Sequence, residues 1–260
     1  MPILPAYDIA VHLATEVGVR PAGTASERRA QRYVADRFRS AGLRVVRDGF
    51  AVPGRGTRSR NVIATYPGTG DCLAIVMAHI DTVAGSPGGA DNATGVGVVA
   101  GLAPRLARLR PKCDVWLVAT GAEERVYTGS PDHLGALDLV RRVNALGRRR
   151  DLRLAISVDM LGTEPSYWLR APRARPGRGA QRVLGAAGDL GLPVRWQPDS
   201  GTGNSDHREF VMAGLPAVLL SAATDFVPCH HDACDAGQRI RLPVQRGAQR
   251  LVERALRALR

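Results

Sequence analysis

The chain has 260 residues, of which 45% are hydrophobic and 23% are charged. A chain of this length and ordinary composition buries a substantial core, which excludes extended disorder, a collagen-like repeat and a small disulfide-bonded scaffold. The formal net charge of +12 resembles that of nucleic-acid-binding domains, but Lys112 is the single lysine and the arginines are scattered along the chain. We therefore interpret the arginines as solvated surface residues and expect no nucleic-acid partner.

Neither an export signal nor a membrane span is predicted. No apolar run reaches the roughly 18–20 residues that a bilayer requires, and residues 1–10 lack the basic segment that opens a signal peptide. Taken as written, the chain is expected in the cytoplasm. A true start further upstream would instead add an export signal and make the protein secreted.

The N-terminal third predicts two helices followed by two strands. Residues 7–17 are weakly amphipathic and predict the first helix. Thr24 and Glu27 have the spacing of a capping box, in which each side chain accepts a hydrogen bond from the other residue's backbone N–H. They predict a second helix that ends near Gly42. A polar turn at residues 53–60 separates the two strands that follow.

The rest of the chain alternates buried strands with helices. The apolar runs predict strands at residues 72–78, 113–119, 153–158 and 215–221. The amphipathic segments predict helices at residues 92–109, 179–191 and 243–260, with a loop or hairpin at residues 166–178. This alternation is typical of an α/β fold. We expect one three-layer α/β/α domain over residues 1–260, with a mostly parallel central sheet.

Metal-ligating side chains follow each buried strand. In an open α/β sheet, sites form at the carboxyl ends of the strands. The residues found there are His79, Asp81 and Asp91; Glu123 and Glu124; Asp159; and His230, His231, Asp232 and Asp235. A single carboxylate after a strand is ordinarily a helix cap and a single histidine ordinarily structural, but their recurrence after successive strands predicts a metal site.

The residue types suit zinc, which binds histidine nitrogen and carboxylate oxygen. Their number suits two ions, because three carboxylates and one hydroxide balance the charge of two divalent cations in a partly buried cleft. Asp81 stands two residues from His79 and is expected to accept the second ring N–H of that ligand. Glu123 is left beside the metal-bound water as a general base.

Several stretches resemble the co-catalytic di-zinc aminopeptidase family, which also includes plasma-type glutamate carboxypeptidases and glutaminyl cyclases. The resemblance covers nearly the whole chain, from about residue 10 to the C-terminus, and the motifs occur in the order of the family. They are HIDTV (79–83), GGADNATGVGVV (88–99), GAEERVYTGS (121–130), SVDMLG (157–162), NSDHREFVMAGLPAV (204–218) and the closing HDACD (231–235).

The resemblance implies a role for each residue of the site. His79 and Asp159 hold one zinc ion, Glu124 and His231 hold the other, and Asp91 bridges them. Glu123 is the catalytic base and Asp81 supports a ligand. The choice of His231 over His230 follows the family pattern, in which Asp stands four residues after the ligand histidine. His207 is left between a role near the substrate and a structural hydrogen bond, and His12 and His133 receive no role.

The resemblance also implies a disulfide between Cys229 and Cys234, with zinc binding by this pair as the alternative. Such a disulfide conflicts with a cytoplasmic location, where thiols stay reduced. Cys72 and Cys113 are interpreted as plain core residues. Val126 and Tyr127 depart from the family, which often has glycine and an aliphatic residue there, and this departure affects the expected substrate preference.

The function implied is that of a zinc-dependent aminopeptidase that releases N-terminal residues from peptides, as a monomer without membrane association. The alternatives are a carboxypeptidase-like or dipeptidase member of the same fold, a glutaminyl cyclase and a non-catalytic binding module. A carboxypeptidase would need a basic pocket for a terminal carboxylate, which Arg170 or Arg208 could provide. A binding module would be expected to lack ligands that are present here.

Overall fold

One mixed β-sheet organises the protein. The computed structural model describes residues 5–54, 56–124, 133–201, 203–224 and 228–260. Within these ranges the strands are β1 Arg44–Val52, β2 Thr57–Tyr66, β3 Leu73–His79, β4 Asp114–Thr120, β5 Leu152–Val158, β6 Tyr167–Ala171, β7 Val194–Pro198 and β8 Ala217–Ala222. Their order across the sheet is β1-β2-β4-β3-β5-β8-β6-β7. Strands β4, β3, β5 and β8 run parallel to one another at its centre.

Helices cover both faces of this sheet. They are α1 Ala6–His12, α2 Ala25–Ser40, α3 Thr94–Leu102, α4 Leu106–Leu109, α5 Leu134–Ala145, α6 Arg178–Leu190, α7 His207–Met212 and α8 Leu242–Ala258. Every residue of β3 is buried. Its alternate side chains enter two separate cores, with Val76 in one and Ile75 and Met77 in the other. The three-layer α/β/α prediction is therefore confirmed, and its cause is a central strand that is apolar on both faces.

The first helix packs directly against α3, which follows the loop of Asp91. Gly97 and Gly101 make this approach possible, because a Cβ on Gly97 would overlap the backbone carbonyl of Ala6 and one on Gly101 would press on the same residue. Helix α3 then runs into a 3₁₀ turn that contains Pro104 before α4 begins. The predicted helix over residues 92–109 is thus divided, because proline lacks the N–H that would continue it.

The predicted capping box forms in part. Glu27 donates its backbone N–H to Thr24 Oγ1 at 3.2 Å, as expected. The Glu27 carboxylate instead accepts from the backbone N–H of Gly23 at 2.7 Å, one residue before the cap. Its other oxygen accepts from the Ser59 hydroxyl on β2. This glutamate therefore joins the start of α2 to the sheet.

Four of these strands and helices lie outside the predictions: β6, β7, α5 and α7. Residues 166–178 were expected to form a loop or hairpin, but Tyr167–Ala171 is strand β6 and pairs in parallel with Val194–Pro198. The helix Leu134–Ala145 was not predicted. Within the described residues, no helix combines the length and the apolar character needed to cross a bilayer.

Cys72 and Cys113 are not plain core residues, and that prediction is wrong. They form a disulfide with an S–S distance of 2.07 Å. Each cysteine immediately precedes one of the adjacent parallel strands β3 and β4, which places their Cα atoms 4.5 Å apart, within bonding range. The buried sequence context suggested two apolar side chains and gave no indication of this pairing.

Replacing both Cys72 and Cys113 by alanine is expected to lower the free energy of unfolding. The bond closes a loop with a sequence separation of 41 residues, for which loop-closure entropy gives about 4 kcal/mol. Denaturant titration would measure the loss. The matched control removes the Cys229–Cys234 bond, whose separation is 5 residues and whose loop entropy is about 2 kcal/mol. Equal losses from the two double variants would contradict the loop-length argument.

Candidate metal centre

The predicted ligands gather at the carboxyl edge of the sheet. His79 is the last residue of β3, and Asp159 directly follows β5. Glu123 and Glu124 follow β4 after a short loop. All four are buried. Parallel strands bring their carboxyl ends to one edge, so side chains that are far apart in sequence become neighbours.

One group of ligand atoms surrounds the His79 ring. Its Nε2 atom lies 3.1 Å from Asp91 Oδ1 and 3.3 Å from Asp159 Oδ1. Its Nδ1 atom lies 3.2 Å from the backbone carbonyl of Asp81. A carbonyl only accepts, so the Nδ1 proton is directed there. Burial opposes a second proton on the ring, but Asp159 and Glu123 outweigh it and hold the pKa of His79 well above its usual value. A cation bound between the two carboxylates would take the place of the Nε2 proton.

A second group lies on the other side of Asp91. His231 Nε2 lies 3.3 Å from Asp91 Oδ2 and 3.2 Å from Glu124 Oε2. The two oxygens of Asp91 therefore face different groups, with Oδ1 toward His79 and Oδ2 toward His231. This is the arrangement expected of a carboxylate shared by two cations.

The residues present fit metal ions. One ligand atom each of His79, Asp91 and Asp159 lies within 4.8 Å of the other two. Among the residues that the structure describes, two buried carboxylate oxygens, Glu124 Oε1 and Asp159 Oδ1, have no hydrogen-bond partner. A tetrahedral zinc ion with bonds of about 2.0 Å separates its ligand atoms by about 3.3 Å. The distances from His79 Nε2 and from His231 Nε2 to their carboxylate neighbours, 3.1–3.3 Å, match this value. A cation at each position would turn repulsion between lone pairs into coordination.

Burial and charge perturb the carboxyls of the cluster. Burial together with the nearby Asp91 raises the pKa of Glu124 to about 8. Burial acts in the same direction on Asp91, but hydrogen bonds from His230, His231 and His79 outweigh it and hold the pKa of Asp91 well below its usual value. Closely packed carboxyls with opposed shifts are typical of a functional site.

His230 was not chosen as a ligand, yet its Nε2 atom also lies 3.3 Å from Asp91 Oδ2. His231 also contacts Glu124, which is consistent with the prediction that His231 is the ligand. Cys229 and His231 both have positive φ, at 69° and 60°. The predicted Cys229–Cys234 disulfide is present and closes this short loop.

Asp235 connects the histidine loop to the Asp91 loop. Its Oδ1 atom accepts the backbone N–H of Ala90 at 2.7 Å, and its Oδ2 atom accepts that of Asp91 at 3.0 Å. The aspartate four residues after His231 thus positions the shared carboxylate. In the sequence, Asp235 served only to identify His231 as the ligand; in the structure it holds the backbone of the Asp91 loop.

The predicted contact of the Asp81 carboxylate with His79 needs correction. Asp81 Oδ1 lies 3.9 Å from His79 Nδ1, beyond hydrogen-bond distance. The carboxylate instead accepts the backbone N–H of Glu123 at 3.1 Å and of Glu124 at 3.2 Å. The backbone carbonyl of Asp81 contacts the ring, so one residue supports the ligand of β3 and the glutamate pair after β4.

Glu123 faces a histidine that sequence reasoning left without a role. Its Oε1 atom lies 3.2 Å from His133 Nε2. Burial would raise the pKa of Glu123, but the charges of His79 and His133 hold it below its usual value. An ionised carboxylate beside a metal cluster can accept a proton, as a general base must.

Arg20 is a second residue that the sequence analysis missed. It is fully buried, and its guanidinium donates to the backbone carbonyls of Leu13, Gly18, Ile80, Pro87 and Gly88. It thereby joins the N-terminal segment to the loops after His79 and before Asp91. Burial lowers the pKa of Arg20 to about 10 against the opposing charges of Asp81, Asp91 and Asp235. Because Arg20 lies between the first predicted helix and the predicted cap at Thr24, the sequence pattern gave no indication that it is buried.

A cavity of about 780 Å³ adjoins the cluster at Asp159 and His230. Ligand pockets ordinarily measure about 300–1,000 Å³. Polar and apolar groups share its wall about equally. On this wall, Asp199 lies between Arg170 Nε and His207 Nε2, at 2.7 Å from each. His207 is fully buried and contacts the Asp199 carboxylate. Of the two roles that the sequence left open for His207, this contact corresponds to the structural hydrogen bond. Val126 and Tyr127, the predicted departures, lie outside the described residues.

An α/β sheet whose strand ends collect histidines and carboxylates around a shared aspartate defines a metal-dependent hydrolase. The chain belongs to Peptidase family M28, whose model matches residues 61–256. Family membership places it among the metallopeptidases and confirms the resemblance seen in its motifs.

The chain is also similar to individual proteins, in sequence to one and in fold to others. Leupeptin-inactivating enzyme 1 of Streptomyces exfoliatus is 26% identical over 90% of this chain, which spans 57% of that protein's length. BSAP, a zinc aminopeptidase from Bacillus subtilis, has a TM-score of 0.84 at 16% identity and matches 98% of this chain and 94% of its own. The Porphyromonas gingivalis glutaminyl cyclase has a TM-score of 0.80 at 25% identity and matches 96% of each chain.

Proposed function

We propose that this protein is a zinc-dependent aminopeptidase that removes N-terminal residues from peptides. The observation that carries the proposal is the position of Asp91 between two ligand groups, with a different oxygen facing each. His79 and Asp159 would hold one zinc ion, and Glu124 and His231 would hold the other. Membership of Peptidase family M28 supports peptides as the substrate.

The chain's own residues divide the remaining work. Bound zinc supplies Lewis-acid chemistry, polarising a carbonyl and lowering the pKa of a water molecule. Glu123 accepts a proton from the attacking water and returns it to the leaving amine. Asp159 lines the cavity, and we expect its carboxylate, with Glu123 nearby in the cluster, to favour a substrate with a free α-ammonium group.

Hydrolysis of a panel of aminoacyl-nitroanilides, with N-acetylated counterparts as controls, tests the proposal. We expect cleavage that requires the free amine and stops when a chelator is added. The relative rates would rank the side chains that the cavity accepts. Cleavage of blocked substrates alone, or of none with zinc supplied, would refute the aminopeptidase assignment.

Glutaminyl cyclisation is a second candidate, because the similar structures include glutaminyl cyclases. A peptide with N-terminal glutamine separates the two reactions by their products. An aminopeptidase consumes water and releases free glutamine and the shortened peptide. A cyclase releases ammonia and leaves a peptide of the same length whose first residue is a pyroglutamyl ring, lighter by the mass of one ammonia. Mass spectrometry of the products distinguishes them directly.

Zinc removal is expected to lower the stability of the fold as well as abolish activity. Asp91, Glu124 and Asp159 are buried together, and without a cation their charges repel. At a free zinc concentration about one hundredfold above Kd, binding adds about 2.7 kcal/mol to the free energy of unfolding. Denaturant titration with and without a chelator would measure this difference. In Asp91→Asn the chelator should have a smaller effect, and an equal effect would contradict the shared-ligand assignment.

The two disulfides support a location in an oxidising compartment, since cytosolic thiols are ordinarily kept reduced. This is the alternative to the cytoplasmic expectation. Thiol alkylation followed by mass spectrometry of the protein from its native source would test it. The monomeric state stays a prediction.

A further inference from the structure

A buried histidine connects Glu123 to a second carboxylate that belongs to neither ligand group. His133 Nε2 lies 3.2 Å from Glu123 Oε1, and His133 Nδ1 lies 3.3 Å from Glu209 Oε1. The His133 side chain is 1% exposed. Glu209 is further held by Arg208, whose Nη1 atom lies 2.9 Å from the same oxygen. The result is a row of carboxylate, imidazole and carboxylate that ends at the proposed base.

The chemistry of this row fixes the direction of its hydrogen bonds. An ionised carboxylate offers acceptors only, so the ring must donate from both nitrogens. Burial opposes the charged ring, but the two flanking carboxylates outweigh it and raise the pKa of His133 to about 10. Charge-assisted hydrogen bonds of this kind are stronger than neutral ones. His133 is therefore fixed at both ends.

The backbone attaches this histidine to the loop that carries Glu123. His133 has φ of 53° and immediately precedes α5. The next two residues donate backbone hydrogen bonds to the carbonyls of Ala122 and Gly121, each at 3.0 Å. A Cβ at Gly135 would overlap the backbone of Gly121, so this close approach depends on glycine. Two hydrogen bonds and this close packing thus hold the first turn of α5 against the loop after β4.

We propose that His133, oriented by Glu209, is the positioning residue for the general base Glu123. Because His133 occupies Oε1, the carboxylate is held in one rotamer with Oε2 left to exchange the proton with water and the leaving amine. The inference rests on the proposed function, in which Glu123 is the base. A carboxylate held in this way needs no reorientation at the moment of proton transfer.

Two conservative substitutions separate positioning from packing. Glutamine places its amide nitrogen close to the position of histidine Nε2, whereas asparagine places it close to that of Nδ1. His133→Gln keeps a donor for Glu123 and should retain kcat within about threefold. His133→Asn loses that donor and should lower kcat about ten- to hundredfold with KM and zinc content unchanged, the range for losing a partner that orients a functional group.

The backbone makes this pair a sharp test. Asparagine tolerates the left-handed conformation at residue 133 better than glutamine does. If His133 served only the local fold, His133→Asn would be at least as active as His133→Gln, and that result would overturn the proposal. The matched control is the same pair of substitutions at His12, which stacks on Tyr33 near the N-terminus. Both control variants should keep the wild-type kcat.

A spectroscopic measurement makes the inference independent of turnover. In the full chain labelled with ¹⁵N-histidine, with and without zinc, both ring nitrogens of His133 should carry protons. Glu209→Leu should remove the signature at Nδ1, and Glu123→Gln should shift that at Nε2. A His133 ring with one unprotonated nitrogen would refute the proposal. If the wild-type protein cleaves no free-amine substrate, the proposed function fails while this spectrum is unaffected.

Discussion

Glu123→Gln is expected to reduce kcat by about 10²–10⁴-fold, the range for losing a general base. Glutamine has nearly the shape of glutamate and can still accept from His133, which lies 3.2 Å from Oε1 in the native protein. It cannot hold the proton that passes from water to the leaving amine. The fold and the zinc content should therefore stay unchanged while turnover falls.

Steady-state kinetics on the best nitroanilide, together with metal analysis and thermal unfolding, would measure this effect. Glu253→Gln on α8 is a matched control, because Glu253 pairs with Arg105 away from the metal cluster. It should keep the wild-type kcat. A Glu123→Gln enzyme that turns over at the wild-type rate would rule out Glu123 as the base.

Arg20→Met is expected to lower the free energy of unfolding by about 3–5 kcal/mol, as when one partner of a buried charged network is removed. Five backbone carbonyls lose a donor. Those of Leu13 and Gly88 keep a backbone N–H, but a buried carbonyl left without a partner is costly. The acidic groups near it, Asp81, Asp91 and Asp235, also lose a compensating charge. We expect zinc affinity to fall with stability, because the loops beside two ligands are no longer joined.

Denaturant titration at saturating zinc would measure the loss. Arg20→Lys keeps the charge but lacks the planar fork of donors, so its loss should be intermediate. Arg254→Met is the control, because this arginine is 45% exposed and pairs with the exposed Asp189. Its removal should cost less than about 1 kcal/mol. An Arg20→Met variant that loses no more than this control would contradict the structural role.

The residues at the strand ends show which features of the site can be predicted from local sequence. A continuous apolar run such as Leu73–His79 encodes a strand buried on both faces, and the alternation of such runs with helices encodes the parallel sheet. The edge at which the ligands meet follows from that topology alone. This is why the sequence alone predicts that His79, Asp159 and the glutamate pair after β4 lie together.

Other features depended on contacts that no local pattern records. The Cys72–Cys113 bond exists because β3 and β4 are neighbours, although 41 residues separate the two cysteines. Strand β6 was read as a loop because its stability comes from pairing with β7 and β8. The carboxylate of Asp81 was expected to accept from the His79 ring. It accepts instead from the backbone N–H groups of Glu123 and Glu124, which follow a different strand.

The sequence by itself determined the fold class, the ligand types and the edge of the sheet where they gather, because hydrophobic periodicity and residue chemistry are local properties. Only the tertiary structure decided which groups contact one another around the site. The two oxygens of Asp91 face different histidines, Arg20 is buried among backbone carbonyls, and His133 lies between two glutamates. These depend on distances between segments far apart in the chain, and the folding of the whole sheet sets those distances.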